Sequence, residues 1–133
     1  MRPKKQPDML RVLLIEDDDI DQFVVRRLFI KHFPKVDLVF AMDGQEALEY
    51  LQDCERQLDG ILVDINMPRM NGLEFLAEYN KIHSGSPSIV AMLSSSGNEK
   101  DKAFANSYSF VREYYRKPFK FEEAEEFLGF CQS

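Results

Sequence analysis

Apolar residues along this chain gather into five short runs, and each run is followed by residues with helical spacing. The clearest run covers residues 60–63, contains no polar side chain and leads directly into Asp64. A run without alternation predicts a strand whose two faces are both covered, as in a parallel sheet. A second run, residues 10–15, is interrupted only by Arg11 and leads into a group of acidic residues.

A helix is predicted directly after the first run. The apolar residues that recur there at helical spacing are Ile20, Val24 and Leu28, with Val25 beside them. Asp19 or a neighbour is expected to cap the start of this helix, because short polar side chains accept hydrogen bonds from the first free backbone N–H groups. Pro34 is expected to close it.

The remaining elements follow the same order. The other strands are predicted at residues 36–41, 60–64, 88–93 and 111–115, and the later helices near residues 47–57, 73–77, 99–107 and from 121 onward. The last helix has an apolar stripe of Phe121, Ala124, Leu128 and Cys131. Phe130 lies off that stripe, which predicts either an exposed partner contact or a frayed end. Repeated βα units predict an α/β fold, with a parallel sheet between two layers of helices.

The bulk composition limits the classes of function. A length of 133 residues predicts one domain, here residues 10–133, preceded by a flexible extension over residues 1–9. The net charge of −6 argues against nucleic-acid binding, and no apolar run approaches the length of a membrane span. Cys54 and Cys131 form no CxxC pair, so a reducing cytoplasm is expected. Since the last helix ends with the chain, no attached effector domain is expected.

Polar residues stand at the ends of four predicted strands. Glu16 and Asp17 follow the first strand, Asp64 ends the third, Ser94 follows the fourth and Lys117 follows the fifth. The carboxyl ends of parallel strands share one edge of the sheet, where α/β proteins bind their ligands. Converging carboxylates repel one another unless a cation intervenes, and an all-oxygen site favours Mg²⁺. This set predicts metal-assisted phosphoryl chemistry with a carboxylate nucleophile.

Each of these residues also has a simpler interpretation. The acidic residues after the first strand can be helix caps, Asp64 a turn residue, Ser94 part of a polar loop, and Lys117 a solvated side chain. For any one residue the simpler interpretation is preferred. The occurrence of all these residues at successive strand ends favours a shared site.

The sequence resembles the receiver domain of CheY-like, two-component response regulators over residues 10–131. The segments that carry the resemblance are residues 13–18, 61–72, 92–95 and 114–119. The resemblance implies a flavodoxin-like fold in which Asp64 accepts a phosphoryl group. It also implies that Glu16, Asp17, Asp64 and the backbone carbonyl of Asn66 hold Mg²⁺.

The resemblance implies a switch as well. Lys117 would pair with the phosphoryl oxygens, and its bond to Pro118 is expected to be cis. Ser94 would swing toward the phosphoryl group, and Tyr114, the switch aromatic, would turn inward. The surface of the fourth helix, fifth strand and fifth helix would then change shape.

The resulting prediction is a stand-alone phospho-acceptor signalling protein rather than an enzyme, with self-catalysed phosphotransfer and dephosphorylation only. Its expected partners are a sensor histidine kinase or a histidine phosphotransfer protein, and a downstream protein target. It is expected to be a monomer or a phosphorylation-dependent dimer. The main alternative is a receiver-like scaffold that binds partners without phosphorylation.

Two further alternatives fit the sequence less well. A phosphatase with an aspartate nucleophile would usually carry a second Asp two residues after the first, where this chain has Asn66. A flavin or nucleotide module needs an anion cradle after the first strand, but residues 16–19 are all acidic and would repel phosphate.

Overall fold

The computed structural model describes residues 10–53, 58–83 and 87–132. Strands and helices alternate in the order β1 (Arg11–Ile15), α1 (Asp19–His32), β2 (Asp37–Ala41), α2 (Gly44–Asp53), β3 (Gly60–Asp64), α3 (Gly72–Ile82), β4 (Ile89–Ser94), α4 (Glu99–Asn106), β5 (Val111–Arg116) and α5 (Phe121–Gln132). The predicted succession of five βα units is therefore confirmed. None of these helices combines the length and apolar character of a bilayer-spanning segment.

Three predicted features fall outside the described part of the chain. They are the N-terminal extension over residues 1–9, the end of the second helix over residues 54–57, which includes Cys54, and residues 84–86 of the loop before β4.

All five strands form one parallel sheet in the order β2-β1-β3-β4-β5. The strand order reverses between β1 and β3. The crevice at the carboxyl ends of these two strands is therefore the topological switch point, where α/β proteins of this order bind ligands. In the register, Val63 lies beside Ile15, Asp64 beside Leu93, and Ser94 beside Arg116. The strand ends therefore align at one rim.

Two apolar cores cover the two faces of the sheet. Leu13 and Ile15 of β1 belong to the core beneath α2, α3 and α4, whereas Val12 and Leu14 belong to the core beneath α1 and α5. All four side chains are fully buried. Burial on both faces explains why this strand shows no alternation of apolar and polar residues.

The buried face of α1 differs from the apolar pattern in the sequence. Val25 and Phe29 pack into the core, whereas Ile20 is 73% exposed and Val24 is 37% exposed. The helix itself is confirmed, and it is capped by Asp18, whose Oδ1 accepts hydrogen bonds from the first turn. Helical spacing of apolar residues therefore predicted the element but not the face that it buries.

The end of α5 also differs from the prediction. Phe127, which the apolar stripe omitted, is fully buried together with Ala124. Phe130 is half-buried, and the Arg112 guanidinium lies 4.4 Å from the centroid of its ring. The prediction of an exposed or frayed Phe130 is therefore wrong, because a cation from β5 covers the ring.

The start of α2 is tied to the loop between β3 and α3. Asp43 is buried, and its Oδ1 accepts a hydrogen bond of 2.9 Å from the backbone N–H of Glu46. The Arg69 guanidinium pairs with the other carboxylate oxygen, and Arg69 has a φ of 65°. The Glu46 N–H and the Arg69 charge lower the pKa of Asp43, although burial alone would raise it.

The first turn of α3 packs directly against the end of β3. The Gly72 N–H donates a 2.9 Å hydrogen bond to the carbonyl of Ile65. A Cβ at Gly72 would lie 2.6 Å from the backbone oxygen of Asp64 and 2.9 Å from the Cα of Ile65. Since backbone atoms cannot move aside as a flexible side chain can, this position requires the absence of a side chain.

We expect Asp43→Ala to lower the free energy of unfolding at pH 7 by about 1–2 kcal/mol, because α2 loses its capping carboxylate. A carboxyl with a lowered pKa stabilises the folded state above its ordinary value of 3.8, and that contribution disappears as the pH falls through the folded pKa. Urea denaturation at pH 7 and at pH 3 should therefore show the difference shrinking in acid. Asp37→Ala, at an exposed ion pair with Arg11, serves as the control and should cost less. Equal losses for both variants would contradict the capping role.

We expect Gly72→Ala to lower the free energy of unfolding by about 1–3 kcal/mol, because the added methyl group overlaps the backbone at Asp64. Gly129→Ala is the matched control, since a Cβ at that position of α5 has open space. The control should leave stability unchanged or raise it by up to about 1 kcal/mol, because alanine favours helix over glycine. Thermal unfolding of both variants tests this contrast, and a stable Gly72→Ala protein would disprove the close packing.

Candidate functional site

The residues predicted from strand ends come together at the carboxyl rim of the sheet. Glu16 directly follows β1, Asp64 ends β3, Ser94 ends β4, and Lys117 directly follows β5. The backbone N–H of Lys117 donates a 2.8 Å hydrogen bond to the Ser94 carbonyl, which extends the pairing of β4 and β5 by one residue. The Lys117-Pro118 bond is cis, as predicted.

Three carboxylates form a compact cluster at this rim. Glu16, Asp17 and Asp64 each offer one oxygen, and these oxygens lie within 4.8 Å of one another. Glu16 and Asp64 are buried, with exposed fractions of 1% and 3%. An all-oxygen donor set with this spacing fits a hard divalent cation such as Mg²⁺.

Burial and crowding disfavour a full set of negative charges in this cluster. The pKa of Glu16 is raised to about 8, first by burial and then by its hydrogen bond with Asp64 and the charge of Asp64. The nearby ammonium of Lys117 opposes this rise only in part. The cluster therefore favours positive charge, whether it comes from a proton, an ammonium group or a metal ion.

Lys117 supplies positive charge to this cluster from β5. Its Nζ lies 2.6 Å from Glu16 Oε1, 2.8 Å from Asp21 Oδ2 and 3.2 Å from Asp64 Oδ1. Burial alone would lower the pKa of Lys117, but the hydrogen bonds to Asp21 and Glu16 outweigh it and raise the pKa. The side chain is therefore held in its charged form next to Asp64.

Ser94 and Tyr114 occupy their predicted places on β4 and β5. The Ser94 hydroxyl donates to the carbonyl of Ser96 at 2.7 Å and accepts from the Ser96 N–H at 3.1 Å, so it is engaged within its own loop. Tyr114 is half-buried, and its hydroxyl is buried with no hydrogen-bond partner among the described residues. Lys102 of α4 lies with its Nζ 5.7 Å from the centroid of the Tyr114 ring.

Asn66 lies in the loop that follows Asp64. Its backbone N–H donates a hydrogen bond of 3.3 Å to Asp64 Oδ1, and the residue is exposed. This contact places the Asn66 backbone next to the carboxylate cluster. The role of its carbonyl as a metal ligand stays a prediction.

Asp21 is a site residue that the sequence did not identify. It lies in the first turn of α1 and shares the Lys117 ammonium with Glu16 and Asp64. The available signal was weak, because an acidic residue in the first turn of a helix is already favourable for the helix itself.

Comparisons with known proteins identify the family to which this fold belongs. A family model described as the response regulator receiver domain matches residues 12–128. A two-component response regulator from Legionella pneumophila is 31% identical, with a TM-score of 0.80 over 92% of this chain and 98% of that chain. A two-component response regulator from Cytophaga hutchinsonii is 28% identical, with a TM-score of 0.83 over 98% of both chains.

A longer relative shows the same similarity over part of its length. The sensor histidine kinase CheAY of Helicobacter pylori is 31% identical over 121 residues, which are 91% of this chain and 15% of that protein. The segment that the family model matches, residues 12–128, includes the strand ends that carry the carboxylates. The structural neighbours share the five-stranded flavodoxin-like architecture. The chain therefore belongs to the response regulator receiver domain family.

Proposed function

We propose that this protein is a response regulator receiver that accepts a phosphoryl group on Asp64. The observation that carries the proposal is the carboxylate cluster of Glu16, Asp17 and Asp64, of which Glu16 and Asp64 are buried, with the Lys117 ammonium 3.2 Å from Asp64 Oδ1. Membership of the receiver family supports it, since receiver domains are signalling proteins and not classical enzymes. Phosphotransfer to Asp64 and its later hydrolysis are the only reactions proposed.

The acceptor step needs an unprotonated carboxylate oxygen on Asp64. That oxygen attacks the phosphorus of a phosphohistidine; an O–P bond forms while the N–P bond breaks, and the imidazole nitrogen keeps the electron pair. Lys117 and the N–H of Asn66 both contact Asp64 Oδ1, so they orient the carboxylate before the donor arrives. Orientation of the nucleophile removes part of the entropic barrier.

The proposed metal is Mg²⁺. Its ligands are the carboxylates of Glu16, Asp17 and Asp64 together with the backbone carbonyl of Asn66. When bound, Mg²⁺ offsets the negative charge that the carboxylates and the incoming phosphoryl oxygens bring together. The burial of Glu16 and Asp64 strengthens this need for a cation, because bulk water screens their repulsion only weakly.

The proposed switch begins with the negative charge that phosphorylation adds to Asp64. A phosphoryl group on Asp64 adds strong acceptor oxygens beside Lys117 and Ser94. Ser94 would exchange its hydrogen bonds within the loop for one to the phosphoryl group, and the loop before α4 would move with it. Tyr114 is already half-buried, so its proposed response is a further inward turn. Its hydroxyl, which has no hydrogen-bond partner among the residues that the structure describes, would gain one in that turn. The α4-β5-α5 surface would change as a result.

The partners follow from this chemistry. The phosphoryl donor is a sensor histidine kinase or a histidine phosphotransfer protein, and the receiver of the signal is a downstream protein that reads the α4-β5-α5 surface. A cytoplasmic location and a monomer, or a dimer formed on phosphorylation, complete the proposal. A receiver-like scaffold that never becomes phosphorylated is the alternative, and the complete set of acidic, hydroxyl and lysine side chains favours phosphorylation over it.

We expect the wild type to gain one phosphoryl adduct when it is incubated with MgCl₂ and acetyl phosphate, and Asp64→Asn to gain none. The reason is that the amide cannot act as the nucleophile. Intact-protein mass spectrometry measures the adduct directly. Asp19→Asn, which removes an exposed carboxylate nearby, is the control and should behave as the wild type. Equal labelling of wild type and Asp64→Asn would favour the scaffold.

We expect Lys117→Ala to retain part of the phosphorylation but to lose the conformational response. The nucleophile remains, whereas the cation that couples the phosphoryl oxygens to β5 is gone. Amide chemical shifts of Tyr114 and of α4, recorded before and after phosphorylation, measure the response. Lys120→Ala removes an exposed cation three residues further on and should keep the full response. An unchanged response in Lys117→Ala would remove Lys117 from the switch.

A further inference from the structure

The Lys117 ammonium is shared among three carboxylates that belong to different parts of the site. Glu16 and Asp64 lie within the cluster that fits a divalent cation, whereas Asp21 is not a member of that cluster. Asp21 comes from the first turn of α1 and its side chain is 38% exposed, compared with 1% for Glu16. Among the described residues, Asp21 is therefore the partner of Lys117 that lies outside the cluster.

The resting contacts of Lys117 conflict with metal binding. Its Nζ lies 2.6 Å from a carboxylate oxygen of Glu16 and 3.2 Å from one of Asp64, and both residues belong to the cluster. A divalent cation bound by these carboxylates is repelled by an ammonium at this distance. The ammonium must then leave Glu16, and a partly buried ammonium that moves away from one anion needs another.

The start of α1 is built to present that other anion. Asp18 caps the helix, and its Oδ1 accepts from the N–H groups of Ile20 and Asp21. Gln22 donates from its side chain to the Glu16 carbonyl at 2.5 Å, which fixes the first turn against the end of β1. The Asp18 N–H also donates to the Glu16 carboxylate at 3.2 Å. The Asp21 carboxylate is therefore held within reach of Lys117 by the bonds that fix the first turn of α1.

We propose that Asp21 is a positioning residue that retains the Lys117 ammonium when a divalent cation occupies the carboxylate cluster. Asp21 lets Lys117 withdraw from Glu16 without leaving the rim, so the lysine stays available to the phosphoryl oxygens on Asp64. Without Asp21, the ammonium stays on Glu16 and Asp64 and competes with the metal. This inference rests on the proposed function, because it concerns the same Mg²⁺ site.

The test is a titration of the metal-free protein with MgCl₂, followed by the amide chemical shifts of Ile65 and Asn66 and without any phosphodonor. We expect Asp21→Asn to bind Mg²⁺ about three- to fivefold more weakly than Asp19→Asn does. Asp19 lies in the same turn and carries the same charge, but it is exposed and is not among the ion-pair partners that the described residues provide for Lys117. The comparison with Asp19→Asn therefore corrects for the loss of long-range attraction between a carboxylate of α1 and Mg²⁺.

A double-mutant cycle with Lys117→Ala separates the retention of the ammonium from any general effect of residue 21. In the Lys117→Ala background, Asp21→Asn should weaken Mg²⁺ binding no more than Asp19→Asn does, because there is no ammonium to retain. Asp21→Glu keeps a carboxylate and should recover most of the wild-type affinity. Far-ultraviolet circular dichroism of each variant checks that α1 still forms.

Each outcome decides the inference. Equal affinities of Asp21→Asn and Asp19→Asn, or an extra loss in Asp21→Asn that persists without Lys117, would overturn the role of Asp21 alone. Wild type that binds Mg²⁺ but gains no adduct from acetyl phosphate would overturn the proposed function and leave the role of Asp21 standing. Wild type that shows no Mg²⁺-dependent shifts would overturn both.

Discussion

The confinement of like charges at one buried rim is the constraint on which the rest of the site depends. Glu16 and Asp64 are nearly inaccessible to water, and burial, together with the hydrogen bond and charge of Asp64, raises the pKa of Glu16 to about 8. A cluster of this kind needs compensating positive charge, and in this structure the ammonium of Lys117 provides it. The site therefore holds a cation at carboxylates that the sheet fixes in place.

The sheet makes this concentration of charge possible. Its strands are covered on both faces by apolar side chains, so the backbone at their ends is held in register to within one residue. Gly72 adds to this rigidity, because α3 begins in direct contact with the Asp64 backbone. A loosely packed rim would let the carboxylates move apart, and the need for a cation would decrease with their separation.

Residues that act together in this site come from distant parts of the sequence. Lys117 is 101 residues away from Glu16 and 96 away from Asp21, yet its ammonium lies within 2.8 Å of both side chains. The ion pair of Asp43 and Arg69 likewise links two loops, the one between β2 and α2 and the one between β3 and α3. Such links tie the loops at this rim to α1 and to the start of α2.

Local pattern alone was enough to identify the strands, most of the helices and the residues at the strand ends. An unbroken apolar run such as residues 60–63 favours a strand buried on both faces of a parallel sheet, and parallel strands bring their ends to one rim. The strand-end pattern therefore predicts that Glu16, Asp64 and Lys117 lie together at that rim. The tertiary structure decided which face of α1 is buried, that Arg112 covers Phe130, and that Asp21 reaches Lys117. These contacts depend on how whole elements pack. The spacing of residues within one helix or strand does not specify which other elements pack against it.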